Sequence, residues 1–256
     1  MNYLSLEIIY ARLLKMEHLC REGLLPRLLF HKYASEMSNV NNPKAYLAEF
    51  IGSALLVAAI VGSGTMGTQM SRDSGVGLTL NAISVVAMLW ILITTLGPIS
   101  GAHFNPVVSL VMAYRKAIST TDAAIYIILQ ILGAILGATL ANLMFETTLF
   151  AISEVDRTGY GQVTGEIVAT AGLVFLIILL INSDRNKKIP TAVAAWIGSA
   201  FFFTSSTALA NPAVTIGRIF TDSVVGIAPN GVLPFIFAQV VGGAIGLGLA
   251  TVLKGK

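Results

Sequence analysis

From about residue 45 onward the chain is built of long apolar runs separated by short polar or charged stretches. Six runs, at about 45–66, 76–97, 122–145, 163–182, 189–209 and 232–253, reach the roughly 20 residues that a helix needs to cross a hydrocarbon core of about 30 Å. Two places break this pattern in the same way. Asn105-Pro106-Val107 and Asn211-Pro212-Ala213 each follow a small, polar stretch and open a short apolar run. Asn is among the best N-cap residues, and Pro suits the first helical position because its missing N–H costs nothing there. Each tripeptide therefore predicts a helix start. Only nine residues separate Asn105 from Arg115, a helix of about 15 Å or half the core, so the segment enters the membrane and returns. Irregular backbone at that depth is tolerated where it lines water or is buried in protein. The preceding loops, 97–103 and 204–210, are small and polar enough for this, and their carbonyls would form a hydrophilic ladder along one wall of a channel.

The two halves repeat. Gln130-x-x-Gly133-Ala134-x-x-Gly137-x-x-x-Ala141 in the third span matches Gln239-x-x-Gly242-Gly243-x-x-Gly246-x-x-x-Ala250 in the sixth, and the first and fourth spans each carry one carboxylate, Glu49 and Glu166. Three spans per repeat is an odd number, so the second copy (163–253) must be inserted upside down relative to the first (45–145). The two tripeptides would then approach the membrane centre from opposite sides, aiming two positive helix ends at whatever lies between them.

Composition fixes the class. Of 256 residues 55% are hydrophobic and 11% charged, against about 25% charged in a soluble domain, and mean hydropathy is +0.79. The net charge of +3 does not point to nucleic acid, because the basic residues flank apolar spans instead of forming a face with interleaved aromatics. Their distribution orients the chain. With the N-terminus inside, the cytoplasmic segments hold Arg12, Lys15, Arg21, Arg27, Lys32, Lys44, Arg115, Lys116, Arg185, Lys187, Lys188, Lys254 and Lys256, and the outer loops hold only Arg72, Arg157 and Arg218. Both termini are therefore expected in the cytoplasm. Residues 1–44 form an N-terminal extension whose stretch Tyr3 to Arg21 mixes apolar and charged residues as an imperfect amphipathic helix. The single Cys20 excludes an internal disulfide.

Ser100 to Val107, the second Asn-Pro-Ala, the two Glu positions and the paired Gln-x-x-Gly segments together resemble the aquaporin, or major intrinsic protein, family over about residues 45–253. The resemblance implies an all-α membrane protein of six transmembrane helices and two re-entrant half-helices in an inverted repeat. It also implies a homotetramer with one pore per subunit, no cofactor, and Asn105 and Asn211 donating side-chain N–H groups to solute in single file. In such a channel opposed helix dipoles repel protons and cations. The residue after the second Asn-Pro-Ala, an arginine in the family pattern, is here Val214. Counting as the family does, the other constriction positions fall on Val85, Ser199 and Ala208, a ring without charge, aromatic or bulk. The run Asn211 to Arg218 is similar to that of bacterial members associated with arsenic resistance, which implies the bacterial plasma membrane as its location.

The expected function is a passive channel for small uncharged solutes, polyols and metalloid hydroxides such as arsenite, with water passing too; a water-selective channel is the alternative. Arg218, four residues past Val214 on the same helix face, is either a displaced charge at the outer mouth or a tie for loop carbonyls. Glu49 and Glu166 read as acceptors for loop N–H groups behind the pore. His103 reads as loop support, because no second His or Cys lies at metal-ligand spacing. A coupled transporter would need carboxylates along its path. An enzyme would need a nucleophile with its base, or a metal set, and the spans offer neither.

Overall fold

The computed structural model describes residues 42–253, so the expected amphipathic segment and Cys20 lie outside the described residues. Eight α-helices follow in order: α1 Pro43–Met70, α2 Ser74–Ser100, α3 Pro106–Tyr114, α4 Thr120–Met144, α5 Tyr160–Asn182, α6 Ile189–Phe203, α7 Pro212–Gly217 and α8 Pro229–Val252. Short 3₁₀ turns, Asn186–Lys188 and Arg218–Phe220, precede α6 and follow α7. Polar side chains set several starts: Asn42 caps α1 from its side-chain oxygen, Asp73 caps α2 and Ser119 caps α4.

Five helices are long and apolar enough to cross a membrane by themselves. The sixth crossing element, α6, has 15 residues, about 22 Å at 1.5 Å per residue. The expected span 189–209 is thus too long: the helix stops at Phe203, and Thr207, Ala208 and Ala210 adopt left-handed backbone that no helix accommodates. The opposite correction applies to loop 97–103. Gly97, Pro98 and Ile99 belong to the last turn of α2, which runs to Ser100 and ends on Gly101 at φ 88°. A glycine in that conformation is a common helix stop because it carries no Cβ to clash.

Glycine positions bring α1 against α4 and α5 against α8 at backbone distance. A Cβ on Gly137 would lie 2.2 Å from the carbonyl oxygen of Ala54, and one on Gly246 would lie 2.2 Å from that of Ala171. Gly133 and Gly242 abut the carbonyls of Phe50 and Ile167 in the same way. Without a water-driven hydrophobic effect between helices, such close contacts are what holds membrane bundles together. The two pairings are equivalent residue for residue, α5 following α1 by 117 positions and α8 following α4 by 109. Around them the large apolar side chains face outward, Leu132, Leu136, Leu140, Phe237 and Leu249 among them, as a lipid-facing surface requires.

Candidate functional site

Each half-helix starts from its asparagine. Asn105 accepts the N–H of Val107 at 2.9 Å, and Asn211 accepts those of Ala213 and Val214 at 3.0 and 3.3 Å. Their amide nitrogens cross over: Asn105 Nδ2 donates to the carbonyl of Ala210 at 2.8 Å, and Asn211 Nδ2 donates to that of Phe104 at 2.7 Å. The two helix starts are therefore tied head to head. A primary amide has two donor hydrogens. One of each is spent on this crossing, which leaves one per asparagine for the cavity that both line.

The loops that deliver these asparagines are strained in matching places. Ala102 and Phe104 in one, Ala208 and Ala210 in the other, have φ between 48° and 51°. Non-glycine residues held there cost about 1–3 kcal/mol each and persist only when their surroundings impose the conformation. Here a buried carboxylate imposes it. Glu49 Oε1 accepts from Ser100 Oγ (2.7 Å) and His103 N (2.9 Å), and Oε2 from Phe104 N (2.7 Å) and Gln130 Nε2 (2.8 Å). In the other half Glu166 accepts from Leu209 N (2.9 Å), Ala210 N (2.8 Å) and Gln239 Nε2 (2.6 Å). Gln130 and Gln239 continue to Ser109 and Thr215 on the half-helices, at 3.0 and 2.9 Å. With their N–H groups turned back to the glutamates, the loops can present carbonyls elsewhere. His103 is held in the same network, its Nδ1 3.1 Å from Ser109 Oγ and its ring edge-on to Tyr126.

A cavity of about 710 Å³ runs past these elements, from Asn186 and Lys187 at one end, by Asn105 and Asn211, to Val214 and Arg218 at the other. Its wall is mainly apolar, with Ile60, Val85, Leu89, Ile93, Val193 and Ile197 among the lining residues; loops 101–105 and 208–211 supply polar groups near the asparagines, and Asn186, Lys187 and Arg218 supply them at the two ends. This arrangement offers a chain of hydrogen-bond partners along one side and little to hold a solute on the other. It suits passage of small polar molecules.

Residues 36–209 match the family model described as Major intrinsic protein. The chain belongs to that family. Aquaglyceroporin AqpS of Rhizobium meliloti (strain 1021) is 43% identical over 203 residues, covering 79% of this chain and 87% of that protein. Glycerol uptake facilitator protein-like 6 of Lactiplantibacillus plantarum is 31% identical over 186 residues, covering 68% and 82%. The fold matches the X-ray structure of the aquaglyceroporin from Plasmodium falciparum with a TM-score of 0.65 at 17% identity, over 82% of this chain and 96% of that one. This major intrinsic protein is thus a multi-pass integral membrane channel that works by passive permeation, not an enzyme.

Of the four expected constriction residues, Val85, Ala208 and Val214 line the cavity. Ser199 does not: it is exposed on α6. The reason is helical phase. Val193, Ile197 and Phe201 are spaced by four and face the cavity together, whereas Ser199 lies about 200° round the helix from Ile197. The wall therefore contains an aromatic that the residue count missed. Pro106, Val107, Pro212 and Ala213 are buried in the first turns of the half-helices. Arg218 combines the two readings left open for it: it lines the cavity, and its Nε donates to the carbonyl of Val225.

Two further cations, named above only for the orientation of the chain, also belong to the site or its supporting loops. Lys187 lines the opposite mouth. Arg157, in the segment before α5, bonds the carbonyls of Gly226 (2.7 Å), Val224 (3.1 Å) and Ser206 (3.5 Å). Its isolation in an otherwise acidic segment, with Glu154 and Asp156 beside it, was the available signal.

Proposed function

We propose that the chain is a homotetrameric channel of the bacterial plasma membrane that conducts glycerol-sized neutral solutes, including the hydroxides of arsenic and antimony, as well as water. The channel domain is 45–253, both termini are cytoplasmic, and Arg218 marks the outer mouth. Val214 carries the reading. At the position where the family pattern has an arginine, a short apolar side chain lines the cavity beside Val85 and Ala208. Such a wall removes the fixed charge and much of the bulk that would reject a solute larger than water. The names of two relatives, an aquaglyceroporin and a glycerol uptake facilitator-like protein, agree with this substrate class.

In this reading Asn105 and Asn211, each with one free amide hydrogen, are the solute-binding donors at the centre, and Pro106, Val107, Pro212 and Ala213 hold them in place. Glu49, Glu166 and His103 fix the loops behind them. Phe201 supports the alternative, a water-selective pore, because its ring adds bulk to the cavity wall. Stopped-flow light scattering on proteoliposomes, with water, glycerol and arsenite compared per inserted protein, decides between the two. Glycerol and arsenite fluxes well above protein-free vesicles support the wide pore. Water flux alone supports the narrow one.

A further inference from the structure

Arg218 is 4% exposed, yet among the described residues only its Nε has a protein acceptor, the carbonyl of Val225. Arg157 brackets the same tripeptide, bonding the carbonyls of Val224 and Gly226 on either side. Two guanidinium groups thus share three consecutive carbonyls; among the described residues neither has a carboxylate at hydrogen-bond distance, and the negative charge acting on both is that of the buried Glu166, whose oxygens are taken up by Leu209, Ala210 and Gln239. Arg157 spends all three of its nitrogens on backbone oxygens and so clamps the loop. Arg218 is left with two terminal nitrogens in a cavity that it lines. An enclosed cation with free donors is costly unless something completes its shell.

The rest of the conduit favours the same sign of ligand. Lys187 and Arg218 are the only charged side chains among the described residues lining the cavity, and the positive ends of α3 and α7 meet between them. We infer that the Arg218 mouth is a binding site for small monovalent oxyanions, the two free nitrogens of Arg218 taking two oxygens of the anion. The planar guanidinium fork matches such a pair of oxygens, which a neutral polyol presents less well. Arg157 is the positioning residue: it fixes the carbonyl of Val225 that aims Arg218, and its own charge adds to the local potential. The occupant stands in the permeation path beside Val214, so binding slows other solutes. The inference rests on the channel reading above only for that last consequence.

Methanesulfonate is a suitable probe because it stays a monoanion at all working pH values and crosses bilayers poorly. In proteoliposomes at constant ionic strength, replacing chloride with methanesulfonate is expected to lower glycerol flux progressively, and tetramethylammonium in place of sodium is expected to leave it unchanged. Arg218→Gln should need about tenfold more methanesulfonate for the same inhibition, the loss of charge-assisted bonds. Intact glycerol flux without methanesulfonate inhibition overturns the site and leaves the channel reading standing, as does equal inhibition in Arg218→Gln. If the wild-type protein passes no glycerol, the channel reading fails, and line broadening of the methanesulfonate methyl resonance by detergent-solubilised protein decides the site. Broadening that Arg218→Gln reduces supports it, and no broadening overturns it. Should Arg218→Gln not insert, Arg218→Lys keeps the charge without the fork and must require several-fold more anion; an unchanged requirement overturns the assignment.

Discussion

Replacing Glu49 with Gln keeps the side chain's shape and removes one of its two acceptor oxygens. All four partners of Glu49 are donors: Ser100 Oγ, His103 N, Phe104 N and Gln130 Nε2. Whichever way the new amide turns, its NH₂ faces two of them. Ser100 and Gln130 can adapt, the hydroxyl by rotating and the amide by flipping, since Gln130 Oε1 has no partner. A backbone N–H cannot adapt, so either His103 or Phe104 is left unpaired. An unpaired buried donor costs about 1–3 kcal/mol, and the remaining bonds lose their charge assistance, which gives about 2–4 kcal/mol in total. At roughly 2–4 °C per kcal/mol for a chain of this size, unfolding should fall by roughly 5–15 °C. The fluorescence of Trp90 and Trp196 reports thermal unfolding of the detergent-purified protein, and glycerol flux per inserted protein reports loop 101–105. Glu166→Gln should behave alike, because it strands Leu209 N or Ala210 N. An unfolding temperature within about 2 °C of wild type, with unchanged flux, would refute the claim that these carboxylates hold the strained loops.

Val214→Arg adds a charged side chain where the cavity has an apolar one, and should cut glycerol and arsenite flux far more than water flux in the same vesicles; equal losses would place the constriction elsewhere. Phe201→Ala should raise the glycerol-to-water flux ratio and Ser199→Ala should leave it unchanged, since Phe201 lines the cavity and Ser199 is exposed on α6. Gly246→Ala forces a Cβ to within 2.2 Å of the Ala171 carbonyl and should sharply reduce folded, inserted protein on size-exclusion chromatography. The companion Gly248→Ala, with nothing within 4 Å, should not, and equal yields would remove the close-packing argument.

Much of this architecture was legible because membrane burial leaves few ways to be polar. Asn105-Pro106 and Asn211-Pro212 each carry their own cap and first turn, so these two helix starts fell where the residues said. What failed was anything that depends on the path between fixed points. Counting back from Asn211 to Ser199 passes through 204–210, where three residues adopt positive φ, so residue number no longer measures position along the pore. The face of α6 is set by its own packing, and that puts Phe201 in the wall. Pro98 misled for a related reason. Placed in loop 97–103, it sits in the final turns of α2, where it removes one bond, to the carbonyl of Thr94, and both residues line the cavity.

The same strain explains why the carboxylates, the glutamines and the asparagines come as two matched sets. Four residues at φ near 50° represent about 4–12 kcal/mol of backbone strain concentrated around the tied asparagines. Loops that strained would relax if they could. Each is prevented by the acceptors of one glutamate, which is in turn braced by one glutamine that also holds its half-helix through Ser109 or Thr215. The asparagine crossing then makes the halves interdependent, because each amide bonds a carbonyl that only the other half's strained loop presents, Ala210 for Asn105 and Phe104 for Asn211. Relaxation of either loop withdraws the partner of the opposite asparagine. A pore built this way is held at its centre because neither side can move alone, and in the proposed channel the capacity to discriminate solutes falls to other residues that line the cavity, Val214, Phe201 and Arg218.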